Sequence, residues 1–253
     1  MISTFVQRLL LLPQLAPNRA GLSRATAIDE AARLAAISAA VREGEILSPF
    51  GEPSLAATYG EITPLGFQTL CSELKLGSSD VFADLGSGTG KAVCQAVEEY
   101  AVASAAGVEL EPCRHARALA LRDSLPKEQA ERVAFIEGDC TDAQIWNDHL
   151  GDVTVVYAAS LLFPRDLMDR LAPCLEGAPK LRAVATLRPF RDGLRGFAER
   201  GSELRCEMSW TANTLVPSEP DGRHPGCPVY VYLREPSRAD VALMRERIDE
   251  MLL

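Results

Sequence analysis

The spacing of apolar positions changes at Asp80, where short apolar runs separated by helical periodicity begin. The runs have the length and the Val and Ala content of buried strands, and strands that alternate with helices form parallel sheets covered on both faces. The predicted helices lie around 90–101, 112–124 and 165–174. The predicted strands are Val81–Leu85, Ala105–Glu109, Val133–Glu137, Thr154–Ala158 and Ala183–Thr186.

Two more strands are predicted after the fifth, at Glu203–Leu215 and Val229–Arg234, joined by a loop rich in Pro and Gly. Antiparallel strands that follow a series of β-α units commonly close such a sheet. We therefore expect an α/β fold with a doubly wound, mostly parallel sheet of seven strands. The final segment, 237–253, places four apolar residues on one face of a helix, which favours a helix docked on the core.

The residues ahead of the first strand predict helices. An alanine-rich amphipathic helix is expected over 27–43, and a second over 64–75, where Pro64 suits the opening turn. We divide the chain into an N-terminal helical extension, 1–58, and an α/β domain, 59–253.

Residues 1–28 contain Arg8, Arg19 and Arg24, several Ser and Thr, and no acidic residue. This composition is typical of an organelle transit segment, which would place the protein in a mitochondrion or plastid. The alternative interpretation is a helical or poorly ordered extension of the domain.

Composition and charge narrow the classes of function. Hydrophobic residues make up 47% of the 253 residues and charged residues 24%, which is the balance of a globular protein. No apolar run approaches the ~18–20 residues of a membrane-spanning helix. The net charge of −9 argues against a domain that wraps nucleic acid. The seven cysteines are scattered without C-x-x-C spacing, so we expect reduced thiols and no metal site.

The segment 81–91, VFADLGSGTGK, is the strongest chemical signal in the chain. An apolar strand is followed by Gly86, Gly88 and Gly90 and then by a predicted helix. Glycines let the backbone adopt positive φ and approach a ligand closely. Turns of this kind, at the carboxyl edge of a parallel sheet, are where such folds bind ligands.

An acid ahead of this turn indicates the charge of its ligand. A dinucleotide-binding turn reads G-x-G-x-x-G, whereas this one reads G-x-G-x-G with Asp84 two positions before it. A carboxylate there would repel a pyrophosphate but suits a cation that carries an α-amino group and a sulfonium. No Lys-Ser or Lys-Thr pair follows the glycines, so a phosphate-binding P-loop is a poor match.

Two further acids follow the next predicted strands. Glu109 lies 19 residues beyond Gly90, where a carboxylate can accept hydrogen bonds from ribose hydroxyls. Asp139 lies just past the third strand, where it can accept from an adenine amino group, and Asp142 is a less well-placed rival. Acids at three successive strand ends predict one binding site.

The loop Tyr59-Gly60-Glu61, the glycine turn, G-V-E-L and E-G-D-C together resemble one family of methyltransferases. This is the disruptor-of-telomeric-silencing family, the histone-lysine methyltransferases that lack a SET domain. The similarity covers roughly 55–190, and its most specific part is the Tyr-Gly-Glu loop, about 20 residues ahead of the glycine turn. The resemblance implies a Rossmann-like class I methyltransferase fold, S-adenosyl-L-methionine as cofactor, a histone or nucleosome lysine as acceptor, and a nuclear location.

The resemblance also implies site residues, with the Tyr-Gly-Glu loop over the methionine end of the cofactor, Glu109 on its ribose, and Asp139 and Cys140 flanking its adenine. The cofactor-binding residues that it implies are Tyr59, Gly60, Glu61, Ile62, Phe82, Asp84, Leu85, Gly86, Ser87, Gly88, Thr89, Gly90, Lys91, Glu109, Asp139 and Cys140.

The acceptor side departs from the family pattern. Where the family carries Asn-Asn-Phe beside the transferable methyl, this chain reads Ala159-Ser160-Leu161. Ser160 still offers a hydroxyl, and we predict Ser160 and Phe163 as the catalytic residues. Tyr157, Leu161, Leu162 and Phe163 are predicted to wall an apolar channel that lowers the pKa of the acceptor lysine.

The acceptor itself has more than one interpretation. The chain has no run of Lys and Arg that would hold nucleosomal DNA, and Arg182, Arg188, Arg191 and Arg195 form only a thin cluster. A methyltransferase that acts on a non-histone protein or a small molecule is one alternative. The other alternative is a protein that binds the cofactor but has no catalytic activity and therefore no acceptor.

Overall fold

The structure, a computed structural model, describes residues 60–200, 204–209 and 226–235. A short 3₁₀ turn covers Ser160–Leu162. The helices are Pro64–Leu74 (α1), Lys91–Tyr100 (α2), Pro112–Asp123 (α3), Lys127–Ala130 (α4), Ala143–His149 (α5) and Arg165–Gly177 (α6). The strands are Val81–Leu85 (β1), Ser104–Glu109 (β2), Val133–Glu137 (β3), Val155–Ala158 (β4), Ala183–Thr186 (β5), Phe197–Glu199 (β6), Arg205–Cys206 (β7), Cys227–Pro228 (β8) and Tyr230–Arg234 (β9).

Seven of these strands form one sheet, in the order β3-β2-β1-β4-β5-β9-β6. The first five pair in parallel, whereas β9 is antiparallel to both β5 and β6. This arrangement confirms the predicted fold class. It also brings the carboxyl ends of β1, β2 and β3 side by side, because these three strands are direct neighbours.

Both faces of the sheet are covered, which explains the continuous apolar runs of the sequence. One face carries Ala83 and Leu85, which belong to a buried cluster with residues of α5 and α6. The opposite face carries Phe82, whose ring makes an edge-to-face contact with Phe67 of α1 at 5.5 Å between centroids. The alternation of side chains along β1 therefore places Asp84 on the same face as Phe82.

Side chains at the first residues define where three helices begin. Thr63 accepts a hydrogen bond from the Gly66 N–H, and Pro64 follows it in the first turn of α1. Glu111 caps α3 in the same way, and Asp142 caps α5 by accepting from the Gln144 N–H. Such caps satisfy N–H groups that have no partner inside the helix. Asp142 therefore starts a helix in this structure.

The closing strands differ from the prediction. Tyr230–Arg234 does close the sheet, but its outer neighbour is Phe197–Glu199, a segment that the sequence did not mark as a strand. Within the described part of 203–215, only Arg205–Cys206 is a strand, and it pairs with Cys227–Pro228 in a separate two-stranded sheet. The pairing of Phe197–Glu199 with Tyr230–Arg234 is supported by a long-range contact, because the Arg234 guanidinium lies over the Phe197 ring, 4.3 Å from its centroid.

Several expectations fall on other parts of the chain. The helix over 27–43, the segment 1–28, Tyr59 and the final helix over 237–253 lie outside the described residues. Among the residues that are described, no helix has the length and apolar character to cross a membrane. All seven cysteines are free thiols.

Candidate active site

The turn between β1 and α2 has the backbone that its glycines predict. Gly86, Gly88 and Gly90 have φ values of 81°, 55° and 82°, a region that favours glycine. The N–H groups of Gly86 and Ser87 donate to the Val108 carbonyl at 2.8 and 3.0 Å. The turn is therefore fixed to the end of β2 by two backbone hydrogen bonds.

A fourth glycine, which the sequence interpretation did not include, lies beside this turn. A Cβ on Gly107 of β2 would come within 2.6 Å of the Ser87 hydroxyl oxygen and 2.7 Å of the Phe135 ring. Any larger residue would therefore have to displace the Ser87 side chain and the Phe135 ring. The sequence signal was present, since an A-G-V-E strand with glycine inside is unusual, but its cause is a contact between distant residues.

Glu109 ends β2 and holds the glycine turn. Its side chain is buried and accepts hydrogen bonds from the Gly88 N–H at 2.8 Å and from the Glu111 N–H at 2.9 Å. Each carboxylate oxygen keeps lone-pair capacity for another donor. A buried carboxylate in this position can position the turn and still accept from a ligand hydroxyl.

Asp84 is the most unusual group of the site. It is buried, and its Oδ1 has no hydrogen-bond partner in the described part of the chain. Burial, together with the nearby carboxylates of Glu109 and Glu61, raises the pKa of Asp84 to about 8. A bound cation would reverse both effects by supplying the missing partner and charge.

Glu61 brings a third carboxylate toward the turn. It accepts from the Thr89 hydroxyl at 3.0 Å and from the Lys91 ammonium at 2.5 Å. Its backbone pairs with Ser209, whose N–H donates to the Glu61 carbonyl at 2.8 Å. Glu61, the last residue of the predicted Tyr-Gly-Glu loop, thus contacts the glycine turn through its side chain and Ser209 through its backbone.

The segment Glu207–Ser209 contacts the chain from Glu61 to Thr63. The Thr63 N–H donates to the Glu207 carbonyl at 3.0 Å, the Thr63 hydroxyl donates to the Glu207 carboxylate at 2.8 Å, and Ile62 forms a bridge with Met208. We name these two stretches, 61–63 and 207–209, the loop clamp. Sequence reasoning missed it because its two halves are more than 140 residues apart.

The predicted adenine end lies after β3. Asp139 accepts from the Thr141 N–H at 2.9 Å and from the Arg170 guanidinium at 3.2 Å. Partial burial opposes ionisation of Asp139, but the hydrogen bonds from Thr141 and Arg170 outweigh it and hold its pKa below the usual value. Cys140 is buried, and its carbonyl accepts from the Trp146 indole.

The predicted catalytic residues lie after β4. Ser160 is fully buried, and its hydroxyl accepts from the Arg188 N–H at 3.2 Å. The Phe163 ring packs against Gly86, 3.0 Å from the position that a Cβ there would take. Leu161 and Leu162 are exposed beside it. The aromatic ring therefore covers the first glycine of the turn, and two apolar side chains face solvent next to it.

A cleft opens between the loop clamp, the glycine turn and the end of β4. Ala92, Tyr157 and Ala159 line it although they were not among the predicted cofactor-binding residues. Of those predicted, Phe82 and Leu85 have side chains in the core, with at most 1% exposed. The predicted residues that line the cleft are Gly60, Glu61, Ile62, Asp84, Gly86, Ser87, Gly88 and Lys91.

Unsatisfied polar atoms concentrate in this cleft. In the described residues, five buried side-chain polar atoms lack a hydrogen-bond partner, and three of them belong to Asp84, Ser87 and Tyr157, which line the cleft. Buried polar groups are paired in most proteins, so unpaired ones need a reason. A ligand that supplies both donors and acceptors accounts for the three together.

Comparison with protein families identifies one match. The family described as "Histone methylation protein DOT1" matches residues 40–198, which include the glycine turn, Glu109 and Asp139. This family is the one that the sequence resembled, and the resemblance is confirmed.

One curated relative is similar over part of its length. It is the histone-lysine N-methyltransferase, H3 lysine-79 specific, of Caenorhabditis elegans, which is 30% identical over 121 residues. The match covers 45% of this chain and 13% of that protein. The chain thus matches a small part of a much longer enzyme.

Solved structures share the fold. TrmN from Thermus thermophilus is 20% identical with a TM-score of 0.51, and covers 72% of this chain and 52% of its own. The methyltransferase domain of bacterial CtHen1 is 13% identical with a TM-score of 0.50, and covers 68% of this chain and 97% of its own. At these identities the comparison establishes the methyltransferase fold.

Proposed function

Since this chain belongs to the DOT1 family of histone methylation proteins, we propose that it transfers a methyl group from S-adenosyl-L-methionine to a lysine side chain of a histone. The observation that carries the proposal is the set of carboxyl groups gathered around the glycine turn. Asp84 and Glu61 line it beside the glycine turn, and Glu109 supports that turn from β2. A cationic nucleoside sulfonium with an α-amino group has the complementary charge.

The residues of the cleft fit this cofactor. Asp84 Oδ1, which has no partner among the described residues, suits an ammonium group, and the Lys91 ammonium, which pairs with Glu61, suits a carboxylate. Glu109 offers lone pairs to ribose hydroxyls, and Asp139, two residues beyond β3, offers the same to an adenine amino group. When bound, the cofactor supplies a methyl group on a positively charged sulfur.

The chain's own part in the reaction is to position and desolvate. Methyl transfer is an in-line displacement, so holding the acceptor nitrogen opposite the methyl provides much of the acceleration. Phe163 lies on Gly86, and Leu161 and Leu162 are exposed beside it. An apolar entrance of this kind disfavours the charged lysine, so that its amine arrives neutral and nucleophilic. Ser160, which is buried, would act by holding the Arg188 backbone at this entrance.

A second candidate is a lysine methyltransferase whose acceptor is a protein other than a histone. Three arginines of the thin cluster pair with acids of the same chain: Arg182 with Asp80, Arg191 with Asp169 and Arg195 with Glu176. With a net charge of −9, this surface favours a protein acceptor that is not wrapped in DNA. A nuclear location belongs to the first candidate.

Radiolabelled methyl transfer tests the proposal. The protein is incubated with labelled S-adenosyl-L-methionine and with nucleosomes, free histones or a cell lysate, and Asp84→Asn serves as the control. Labelling of histones or nucleosomes supports the first candidate, and labelling confined to other lysate proteins supports the second. Absence of cofactor binding by calorimetry would refute both.

The Tyr-Gly-Glu loop has its own test. We expect Glu61→Ala to weaken binding of S-adenosyl-L-methionine and leave the fold intact, because the side chain contacts Thr89 and Lys91 at the turn. Calorimetric titration measures the affinity, and circular dichroism checks the fold. An unchanged dissociation constant would remove the loop from the site.

A further inference from the structure

Tyr157 has a buried hydroxyl without a partner in the described residues, and it lies beside Asp84. The two residues are direct neighbours across β1 and β4, with their Cα atoms in register. Neighbours in register on parallel strands place their side chains on the same face of the sheet. Tyr157 and Asp84 therefore form one wall of the cleft, and both line it.

Neither group is satisfied. The Tyr157 hydroxyl oxygen and Asp84 Oδ1 each lack a hydrogen-bond partner among the described residues. A buried hydroxyl that makes no hydrogen bond is destabilising compared with a phenylalanine of the same shape. Two such groups side by side indicate that a third molecule completes them.

The charges around them select the kind of group that fits. Burial raises the pKa of Tyr157 well above its usual value, and the Asp84 carboxylate raises it further, so the hydroxyl stays neutral. Asp84 and Glu61 bring two carboxyl groups to this end of the cleft, and Lys91, which pairs with Glu61, is the one cation among the described lining residues. A ligand carboxylate would be repelled near Asp84 and attracted near Lys91, whereas an ammonium has the opposite preference.

We propose that Tyr157 and Asp84 together bind the α-ammonium group of the cofactor, with the Tyr157 hydroxyl oxygen accepting one of its N–H donors. This inference rests on the proposed function, because it assigns one more residue to the same cofactor. Tyr157 then acts as a specificity residue, because its hydroxyl raises the affinity only for nucleosides that carry the amino-acid group.

The experiment compares three nucleosides by calorimetric titration of the wild-type protein and Tyr157→Phe. S-adenosyl-L-methionine and S-adenosyl-L-homocysteine carry the amino-acid group, whereas 5′-methylthioadenosine lacks it. We expect Tyr157→Phe to lose about tenfold in affinity for the first two and nothing for the third, because a hydrogen bond to a charged group is lost.

Tyr232→Phe is the matched control. Tyr232 is also a buried tyrosine of the sheet, but its hydroxyl accepts from the Phe190 N–H at 3.1 Å. Without ligand, we expect Tyr232→Phe to lower the melting temperature and Tyr157→Phe to leave it unchanged or raise it. Tyr232→Phe keeps full affinity for all three nucleosides.

Three other results of the titrations would contradict the inference. If Tyr157→Phe keeps wild-type affinity for S-adenosyl-L-methionine, the hydroxyl binds at most a water molecule and the inference is wrong. Equal losses for all three nucleosides would show a general distortion of the cleft and would also overturn it. If the wild-type protein binds none of the three, the proposed function fails, and this inference fails with it.

Discussion

Two aspartates at opposite ends of one strand have opposite environments. Asp80, just before β1, accepts from the Arg182 guanidinium at 2.7 Å, from the Thr154 hydroxyl at 2.8 Å and from the Gly77 N–H at 3.0 Å. Asp84, near the end of β1, is equally buried, yet its Oδ1 has no partner in the described residues. The carboxylate before β1 therefore has its hydrogen-bond partners, whereas the carboxyl group near the end of the strand lacks one.

The pKa values of the two carboxyl groups report the same difference. Burial opposes ionisation of Asp80, but hydrogen bonds from Arg182, Thr154 and Gly77 outweigh it and lower the pKa. At Asp84 no such donor compensates, and burial raises the pKa to about 8. The Asp80 carboxylate stabilises the fold. The Asp84 carboxyl group lies in an environment that disfavours its ionised form, and a cationic ligand would reverse this.

The largest expected effect comes from Asp84→Asn. Removing the charge should reduce affinity for S-adenosyl-L-methionine at least about 100-fold, because a buried charged partner of an ammonium is lost. The melting temperature of the ligand-free protein should not fall, since the native residue is unsatisfied there. Calorimetry and thermal unfolding measure the two quantities, and a destabilised variant with full affinity would contradict the comparison.

Asp80→Asn should produce the reverse result. Loss of the charged partner of Arg182 should lower the free energy of unfolding by about 2 kcal/mol, the scale of hydrogen bonds to a charged group. Affinity for the cofactor should stay at the wild-type value, because Asp80 precedes β1 and the cleft lies at the opposite end of that strand. Urea unfolding gives the first number; a large loss of affinity in a folded variant would show that the two ends of the strand are coupled.

The pH dependence of binding sharpens the contrast. Below pH 8 the ligand-free Asp84 carboxyl is mostly protonated, and an ammonium ligand must displace that proton. Affinity should therefore rise about tenfold for each pH unit between 6 and 7 and level off near 8, where the ligand's own α-amino group begins to lose its proton. Asp84→Asn should remove this slope, and an identical slope in the variant would assign it to another group.

The pH dependence of stability without ligand tests the same raised pKa. A carboxyl group whose pKa is raised in the folded state favours folding fully below its unfolded pKa of about 4, and this contribution is lost as pH rises through about 8. The stability of Asp84→Asn relative to wild type should therefore increase from pH 5 to pH 8. Urea unfolding at each pH measures the difference, and a constant difference would contradict the raised pKa.

Much of the fold could be predicted because it depends on local patterns. The bounds of β1, β3 and β5 agree with the sequence prediction at both ends. Apolar runs of this length, separated by helical segments, leave few alternatives to a parallel sheet. The strand Phe197–Glu199 was missed because only its pairing with Tyr230–Arg234, a distant segment, makes it a strand.

The candidate site was partly predictable for the same reason. The glycine turn, Asp84 and Glu109 stand in consecutive strand-turn units, so spacing in the sequence marks them. Gly107 and the 207–209 half of the loop clamp act through contacts with distant residues, which no local pattern reveals. Tyr157 looked like a wall of the acceptor channel, and only the register of β1 with β4 places it beside Asp84.

The loop clamp has a consequence for how the protein is made. The carboxylate of Glu61 is synthesised before the glycine turn, but the segment that fixes its backbone, Glu207–Ser209, leaves the ribosome much later. The parallel strands can associate in between, whereas the outer wall of the cleft must wait. A nascent chain halted after β5 would therefore contain the glycine turn but lack the segment that anchors the Glu61 backbone.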